Sequence, residues 1–442
     1  MSSFDQSSLT TGHGTMRFVH AADIHLDSPL RGLESYPGAP VERLRIATRQ
    51  AFDRVVDLCL SEAVDFLIIA GDLFDTDVKD FRAALEAAAQ LRRLDQAQIP
   101  VYLILGNHDS REEMTRHVPW PQNVTLFDHR QPQTERHPTL PVALHGMSYP
   151  KREVTENLVP SYPAPVAGCF NIGLLHTNAG GNSVHAAYAP CSVEELVAKG
   201  YDYWALGHVH DYQILHERPH VVYSGNTQGR HAREIGAKGC VLVTVNTLSS
   251  GSEVSDIEFR DTDVVRWSRE TIPLQPDDDE DALLDATRRH LRDIVAAADG
   301  RLAAVRLEFT GRCAVHAKLA KDASKRQLVA NIQSLAGDFS DVWVEKIKFH
   351  TQSPLDMQAL RERSDLIGQL LRDVHALTVS PHALRELSET KDLAAKVNAE
   401  LLMSGDDQQP FDLDDPVRQA GWLRDAEALL LSHLVSDSGG PS

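Results

Sequence analysis

The chain has 442 residues, 42% of them hydrophobic and 24% charged, the balance of a soluble globular protein and too much chain for one ordinary core. Lys and Arg number 44 against 63 Asp and Glu, a net charge of −19, and no segment is basic: −9 over residues 1–260, −2 over 261–350 and −8 over 351–442. This excludes holding a phosphate backbone by bulk charge alone; no apolar run is long enough for a membrane span, and five scattered cysteines without a CxxC pair argue against a disulfide framework or zinc ribbon and suit reduced thiols in a cytoplasm.

Residues 1–15 are small and polar, without the basic start and apolar core of a signal peptide, and read as a frayed tail. From residue 16 strand and helix patterns alternate. "MRFVHAA" reads as a strand, 43–60 as an amphipathic helix, "VDFLIIA" (64–70) as a buried strand, 79–94 as a helix and "VYLIL" (101–105) as a third strand. This β-α-β-α-β order predicts a parallel sheet covered by helices. After residue 140 short strands dominate, from "PVALHGM" through "FNIGLLH", "YDYWALG" and "HVVYSG" to "GCVLVTV", and predict a second sheet packed on the first. The acidic run "PLQPDDDED" (273–281) reads as a solvated linker and helix start. Residues 281–350 follow as helix, strand, helix, strand, a small α/β unit, and 351–442 is helical by period.

Five strand ends carry the same kinds of side chain. Asp23 and His25 follow the first strand, Asp72 and Asp75 the second, and Asn107, His108 and Asp109 the third; His176 ends "GLLH", and His208 and His210 end "WALGHVH". Three of these sets come directly after Gly, which permits a sharp turn and close backbone approach. Ligands of open α/β sheets bind beyond the carboxyl ends of strands, and the x-y-x pairs Asp23/His25 and His208/His210 can point the same way. One arrangement accounts for all five: the ends converge on a pair of metal ions. Carboxylate, imidazole and amide without thiolate suit Mn²⁺, Fe²⁺ or Zn²⁺ better than Mg²⁺ or Ca²⁺, with availability deciding, and Mn²⁺ is the expected ion. Two such ions can hold a hydroxide and clamp the oxygens of an in-line displacement at phosphorus. Asp109 is expected to accept from the His108 imidazole and fix its tautomer. Arg230 and His231, in "QGRHARE", contact a phosphate or form a structural salt bridge; His185, in a Gly/Asn/Ser loop, could reach substrate; Trp204 reads as core.

The order D-x-H, G-D-x-x-D, G-N-H-D, H, G-H-x-H resembles that of calcineurin-like metallophosphoesterases. "AADIHLDSPL", "GDLFD", "YWALGHVH" and "VVYSGNTQGRHAREIGAKGCVLV" are more closely similar to the DNA repair exonuclease branch, the SbcD and YhaO type of nuclease subunit. The resemblance covers about residues 16–260. It implies a four-layer α-β-β-α sandwich over 16–272, a small α/β capping domain over 281–350 and a helical, partner-binding segment over 351–442. It also implies ligand roles: Asp23, His25, Asp72 and His210 on one metal, and Asp72, Asn107, His176 and His208 on the second, with His108 the non-ligand catalytic histidine. Some nuclease relatives have His where this chain has Asp75, which therefore reads as a residue orienting its neighbours or capping a helix.

Three functions compete. The first is a metal-dependent DNA nuclease of a repair complex, cytoplasmic and with no membrane association, for which the resemblance implies an SMC-like coiled-coil ATPase partner and a homodimer. The second keeps the fold but acts on phosphomonoesters or cyclic nucleotides. The third is a scaffold with a vestigial site. The extra α/β unit and helical segment favour the first, and the full ligand set disfavours the third. The apolar stripes in 365–376 and 425–434 offer a partner face or pack on their own domain.

Overall fold

The computed structural model describes residues 14–29, 32, 36, 38–75, 81–109, 118–180, 188–248, 251–319, 321–355, 357–378, 419–423 and 426. In chain order the first elements are β1 (Gly14–Ala21), α1 (Val41–Ser61), β2 (Phe66–Ala70), α2 (Phe81–Gln96), β3 (Val101–Ile104) and β4 (Val124–Leu126). Strands β1 to β4 pair in parallel. Parallel strands need both faces covered, and β2 shows how the sequence meets this. Leu67 and Ile69 enter a core shared with α1 and α2, while Phe66 and Ile68 enter a second core on the other face. Helix α1 buries Leu44, Ala47, Ala51, Phe52, Val55, Val56 and Cys59, the one-sided spacing of a helix lying on a sheet.

The second sheet is built from β5 (Gln133–Arg136), β6 (Val142–Gly146), β7 (Phe170–His176), β8 (Tyr203–Gly207), β9 (Gln213–Glu217) and β10 (His220–Tyr223), in the order β5-β6-β7-β8-β10-β9. Its inner side meets the first sheet: Leu144, Ile172, Leu174, Tyr203 and Val222 share a core with Phe18, Phe66, Ile68 and Tyr102. Its outer side packs Leu175, Leu206 and the fully buried Trp204 against Leu196 of helix α3 (Val193–Ala198). The hairpin β11 (Gly239–Leu248) and β12 (Gly251–Asp261) then returns to the first sheet beside β1, giving β12-β11-β1-β2-β3-β4. The layers are therefore helix, sheet, sheet, helix, as expected.

A three-stranded sheet follows in the order β13-β14-β15, from β13 (Val265–Leu274), β14 (Leu302–Arg312) and β15 (Val342–Gln352). Helices α4 (Glu280–Ala298), α5 (His316–Leu319) and α6 (Asp322–Ala336) alternate with these strands, and α7 (Met357–Arg361) and α8 (Leu366–Thr378) come after. The acidic run forms the turn before α4, where Asp279 Oδ1 accepts from Ala282 N at 3.0 Å. The chain divides into two compact units: one up to Arg269 with Ile294–Val305 and Asp341–Glu345, the other Glu270–Asp293, Arg306–Ser340 and the described residues from Lys346 on. Strand β13 thus begins before the boundary expected at 272. Apart from residue 426, the stripe 425–434 lies outside the described residues. No described helix is long and apolar enough to cross a membrane, and all five cysteines are free.

Candidate metal centre

The parallel strands of both sheets end on one cluster of imidazoles and carboxylates. Backbone bonds lock the loops after β1 and β2 together: Asp23 N donates to Gly71 O and His25 N to Asp72 O, both at 3.0 Å. The second sheet joins through His176, whose Nδ1 donates to Ala70 O at 3.0 Å. Four site residues, Asp23, His25, Asp72 and His208, hold left-handed φ angles of 50°, 47°, 53° and 96°. That conformation costs a non-glycine residue about 1–2 kcal/mol, and its concentration at one place marks a functional constraint. Two glycines make the convergence possible. Gly71 has φ 97°, and a Cβ there would lie 2.4 Å from His176 Nδ1; one on Gly106 would lie 2.3 Å from Asp72 Oδ1.

The donor atoms form overlapping groups: Asp23, His25 and His210; His25, Asp72 and His108; Asp23, Asp72 and His176. His25 Nε2 lies 3.3 Å from His210 Nε2 and 3.8 Å from Asp72 Oδ2. His176 Nε2 lies 3.4 Å from Asp72 Oδ2 and 3.0 Å from Asn107 Oδ1. His210 Nε2 is 3.6 Å from Asp23 Oδ1. Because His176 donates through Nδ1 to Ala70 O, and His210 donates through Nδ1 to Glu234 Oε1 at 2.7 Å, both leave Nε2 turned inward. His25 Nε2 and His210 Nε2 face each other beside the buried carboxylates of Asp23 and Asp72, an arrangement that calls for positive charge between them, so these residues fit divalent cations. The His208 imidazole packs against the His176 ring, centroids 5.3 Å apart, and its backbone N donates to Asp23 Oδ2 at 2.9 Å.

The electrostatics follow the same layout. Burial opposes the charge of Asp72, but His176, His25 and His108 outweigh it and hold the carboxyl well below its usual range. The His176 imidazole is raised to about 9, Asp72 overcoming the effect of burial. Burial pushes Asp23 up, with His210 and His176 opposing. His25 is driven well down by burial and by Arg230. For His108 burial acts downward, yet the hydrogen bond from its Nδ1 to Asp75 and the charge of Asp72 carry it above its ordinary value.

That bond corrects one expectation. The acceptor beside the His108 ring is Asp75 Oδ1, at 3.2 Å. Asp109 points the other way: its oxygens accept from the backbone N–H groups of Phe74, Leu73 and Gly106 at 2.7, 3.0 and 3.1 Å. It ties the β2 and β3 loops together, and burial with the nearby Asp72 pushes it up to about 7. Asp75 takes the orienting role and also accepts from Ser28 Oγ at 2.8 Å. Arg230 reaches both Asp75 Oδ2, at 3.4 Å, and Glu234 Oε1, at 3.0 Å. His231 is half exposed, its Nε2 3.8 Å from Glu234. His185 lies outside the described residues. Glu234 was missed by the sequence reading; its signal was a carboxylate four residues after Arg230 in the quoted "QGRHARE".

A four-layer sandwich with this donor cluster at its strand ends has the layout of the metallophosphoesterase fold. The calcineurin-like phosphoesterase family matches residues 16–212, and the middle domain of the metallophosphoesterase YhaO matches residues 267–352. Over those residues the chain carries domains of the calcineurin-like metallophosphoesterase family. It is 36% identical over 261 residues to the uncharacterized metallophosphoesterase YhaO of Bacillus subtilis, covering 58% of this chain and 63% of that one. It is 26% identical over 223 residues to the DNA double-strand break repair protein Mre11 of Methanopyrus kandleri, covering 44% of each. The chain thus spans less than two thirds of either relative. A solved dimetal phosphatase from Danio rerio aligns at a TM-score of 0.34 and 11% identity, over 55% of this chain and 99% of that one.

Proposed function

We propose that the protein is a two-metal phosphodiesterase acting on DNA, with Mn²⁺ as its metal. The observation that carries the metal chemistry is the overlap of the donor groups at Asp72, which two of the three share, one of them including His108. The DNA substrate rests on the similarity to Mre11 and on a second α/β unit, for which a small-molecule phosphatase has less need.

Asp23, His25, Asp72, Asn107, His176, His208 and His210 would hold the ions, which supply Lewis acidity at the phosphoryl oxygens when bound. His108 is 27% exposed at its side chain and can meet substrate. Asp75 holds its Nδ1–H, so the ring presents Nε2 to the phosphate. Protonated there, it stabilises the developing oxyanion or gives its proton to the departing oxygen. Arg230 keeps positive charge next to Asp75, and its guanidinium is a candidate phosphate contact.

On the same reading an SMC-like coiled-coil ATPase docks on helices near the C-terminus, and the nuclease is a homodimer. The deciding experiment measures Mn²⁺-dependent cleavage of an oligonucleotide against hydrolysis of p-nitrophenyl phosphate. Cleavage of the oligonucleotide supports the proposal; turnover of the monoester alone transfers the protein to the phosphatases. Retained co-purification of the ATPase after deletion of 351–442 would remove the docking assignment.

A further inference from the structure

Five donors converge on one buried carboxylate behind the metal cluster, the longest bond being that from Arg230 Nε to Oε2 at 3.5 Å. Glu234 is 7% exposed. Its Oε1 accepts from His210 Nδ1 at 2.7 Å and from Arg230 Nη2 at 3.0 Å. Its Oε2 accepts from the Arg230 backbone N at 2.7 Å and from Asn226 Nδ2 at 3.1 Å. The guanidinium it grips continues to Asp75, at 3.4 Å, and Asp75 accepts from His108 Nδ1 at 3.2 Å. The carboxylate therefore touches one side of the site through His210 and the other through Arg230 and Asp75.

We infer that Glu234 is a positioning residue: it fixes His210 in the tautomer that carries its proton on Nδ1, and holds Arg230 as the brace of the Asp75–His108 pair. A neutral imidazole has one N–H and one lone pair, and the acceptor on the outer nitrogen decides which faces inward. Here the inner nitrogen is the one 3.3 Å from His25 Nε2 and 3.6 Å from Asp23 Oδ1. Without the Glu234 carboxylate, the proton can move to Nε2 and block that lone pair. The His176 Nδ1–H is held instead by the backbone carbonyl of Ala70, so the effect should fall on one side of the centre.

The inference deepens the metal-centre reading, and the test separates the two. Full-length wild type is titrated with Mn²⁺ alone, followed by calorimetry and by the electron resonance of free Mn²⁺. Two bound ions are expected; wild type that binds none fails the metal reading itself. In Glu234→Gln the amide nitrogen has no lone pair for the donors crowded around it. One ion should bind as in wild type and the other about 10–100-fold more weakly. In metal-free protein the imidazole ¹⁵N shifts of His210 should move away from the Nδ1–H form. Glu234→Asp, which keeps the charge, should recover part of both readouts. Unchanged affinity for both ions in Glu234→Gln, or an Nδ1–H tautomer that persists, overturns the inference. If Glu234→Gln does not fold, Glu234→Asp is decisive: selective weakening of one ion supports the role, and equal weakening of both shows a merely structural carboxylate.

Discussion

His108 is where positioning and proton chemistry can be separated. Its ring is tethered to Asp75 and lies edge-on to His25, centroids 4.8 Å apart, and it is one of the donors grouped with His25 and Asp72. If His108 is the proton donor proposed above and not a ligand, His108→Ala should keep the fold and the metal content of wild type while losing about 10²–10⁴-fold in phosphodiester hydrolysis. Metal analysis beside a cleavage assay checks this; loss of an ion would make His108 a ligand. A second residue-scale outcome concerns His20. It is fully buried, with Nδ1 3.1 Å from the Tyr203 hydroxyl, and burial lowers its imidazole to about 3 despite a hydrogen bond to the Leu206 backbone that acts upward. The folded protein therefore keeps it neutral, while the unfolded chain takes up a proton below about 6.5. Its contribution is whole above that value and shrinks as pH falls towards 3, by about 2 kcal/mol at pH 5. Denaturant midpoints of wild type should fall from pH 7.5 to pH 5 more steeply than those of His20→Phe, and parallel slopes would reject the assignment. Residues of this scale were legible where the chain writes them together, as in Gly-Asn-His-Asp. The choice between Asp75 and Asp109 as partner of His108 was not, because it depends on which way each loop turns, and three backbone N–H groups capture Asp109.

At the scale of the element, the strand end is the working part. Each parallel strand delivers its ligands only because the next residues turn sharply, and Gly106 lets the β3 loop pass against Asp72. A methyl there would sit 2.3 Å from Asp72 Oδ1 and 2.9 Å from the Asp72 backbone N. Backbone cannot move aside as a flexible side chain can, so Gly106→Ala should displace Asp72 and cost on the order of 1–3 kcal/mol. Both ions should weaken together, since Asp72 is shared by two of the three donor groups; a thermal melt and a Mn²⁺ titration report the two effects, and wild-type affinity with an unaltered melt would contradict the packing argument. The central strands were readable because two covered faces leave continuous apolar runs such as Phe66–Ala70. Strands β5, β9 and β12 were not, since their residues are polar and largely half-buried or exposed at sheet edges. Edge strands draw on backbone pairing with a neighbour, which leaves little trace in hydrophobic period.

For the whole molecule the governing quantity is charge. A chain of net −19 repels a polyanion, and the site itself gathers Asp23, Asp72, Asp75 and Glu234 around one guanidinium, Arg230. Two divalent ions would add four positive charges at that place and reverse the local sign. DNA affinity measured by the binding of a labelled hairpin oligonucleotide should therefore be weak in EDTA and rise by at least about tenfold, 1.4 kcal/mol, when Mn²⁺ is added. The protein used is His108→Ala, so that cleavage does not interfere. The salt dependence discriminates further. Each neutralised phosphate contributes about −0.9 to the slope of log affinity against log salt, so few basic contacts in EDTA should give a shallow slope. Tight, steeply salt-sensitive binding without metal would mean that a basic surface outside the site carries the DNA, and would move the assignment of substrate contacts away from Arg230 and its neighbours.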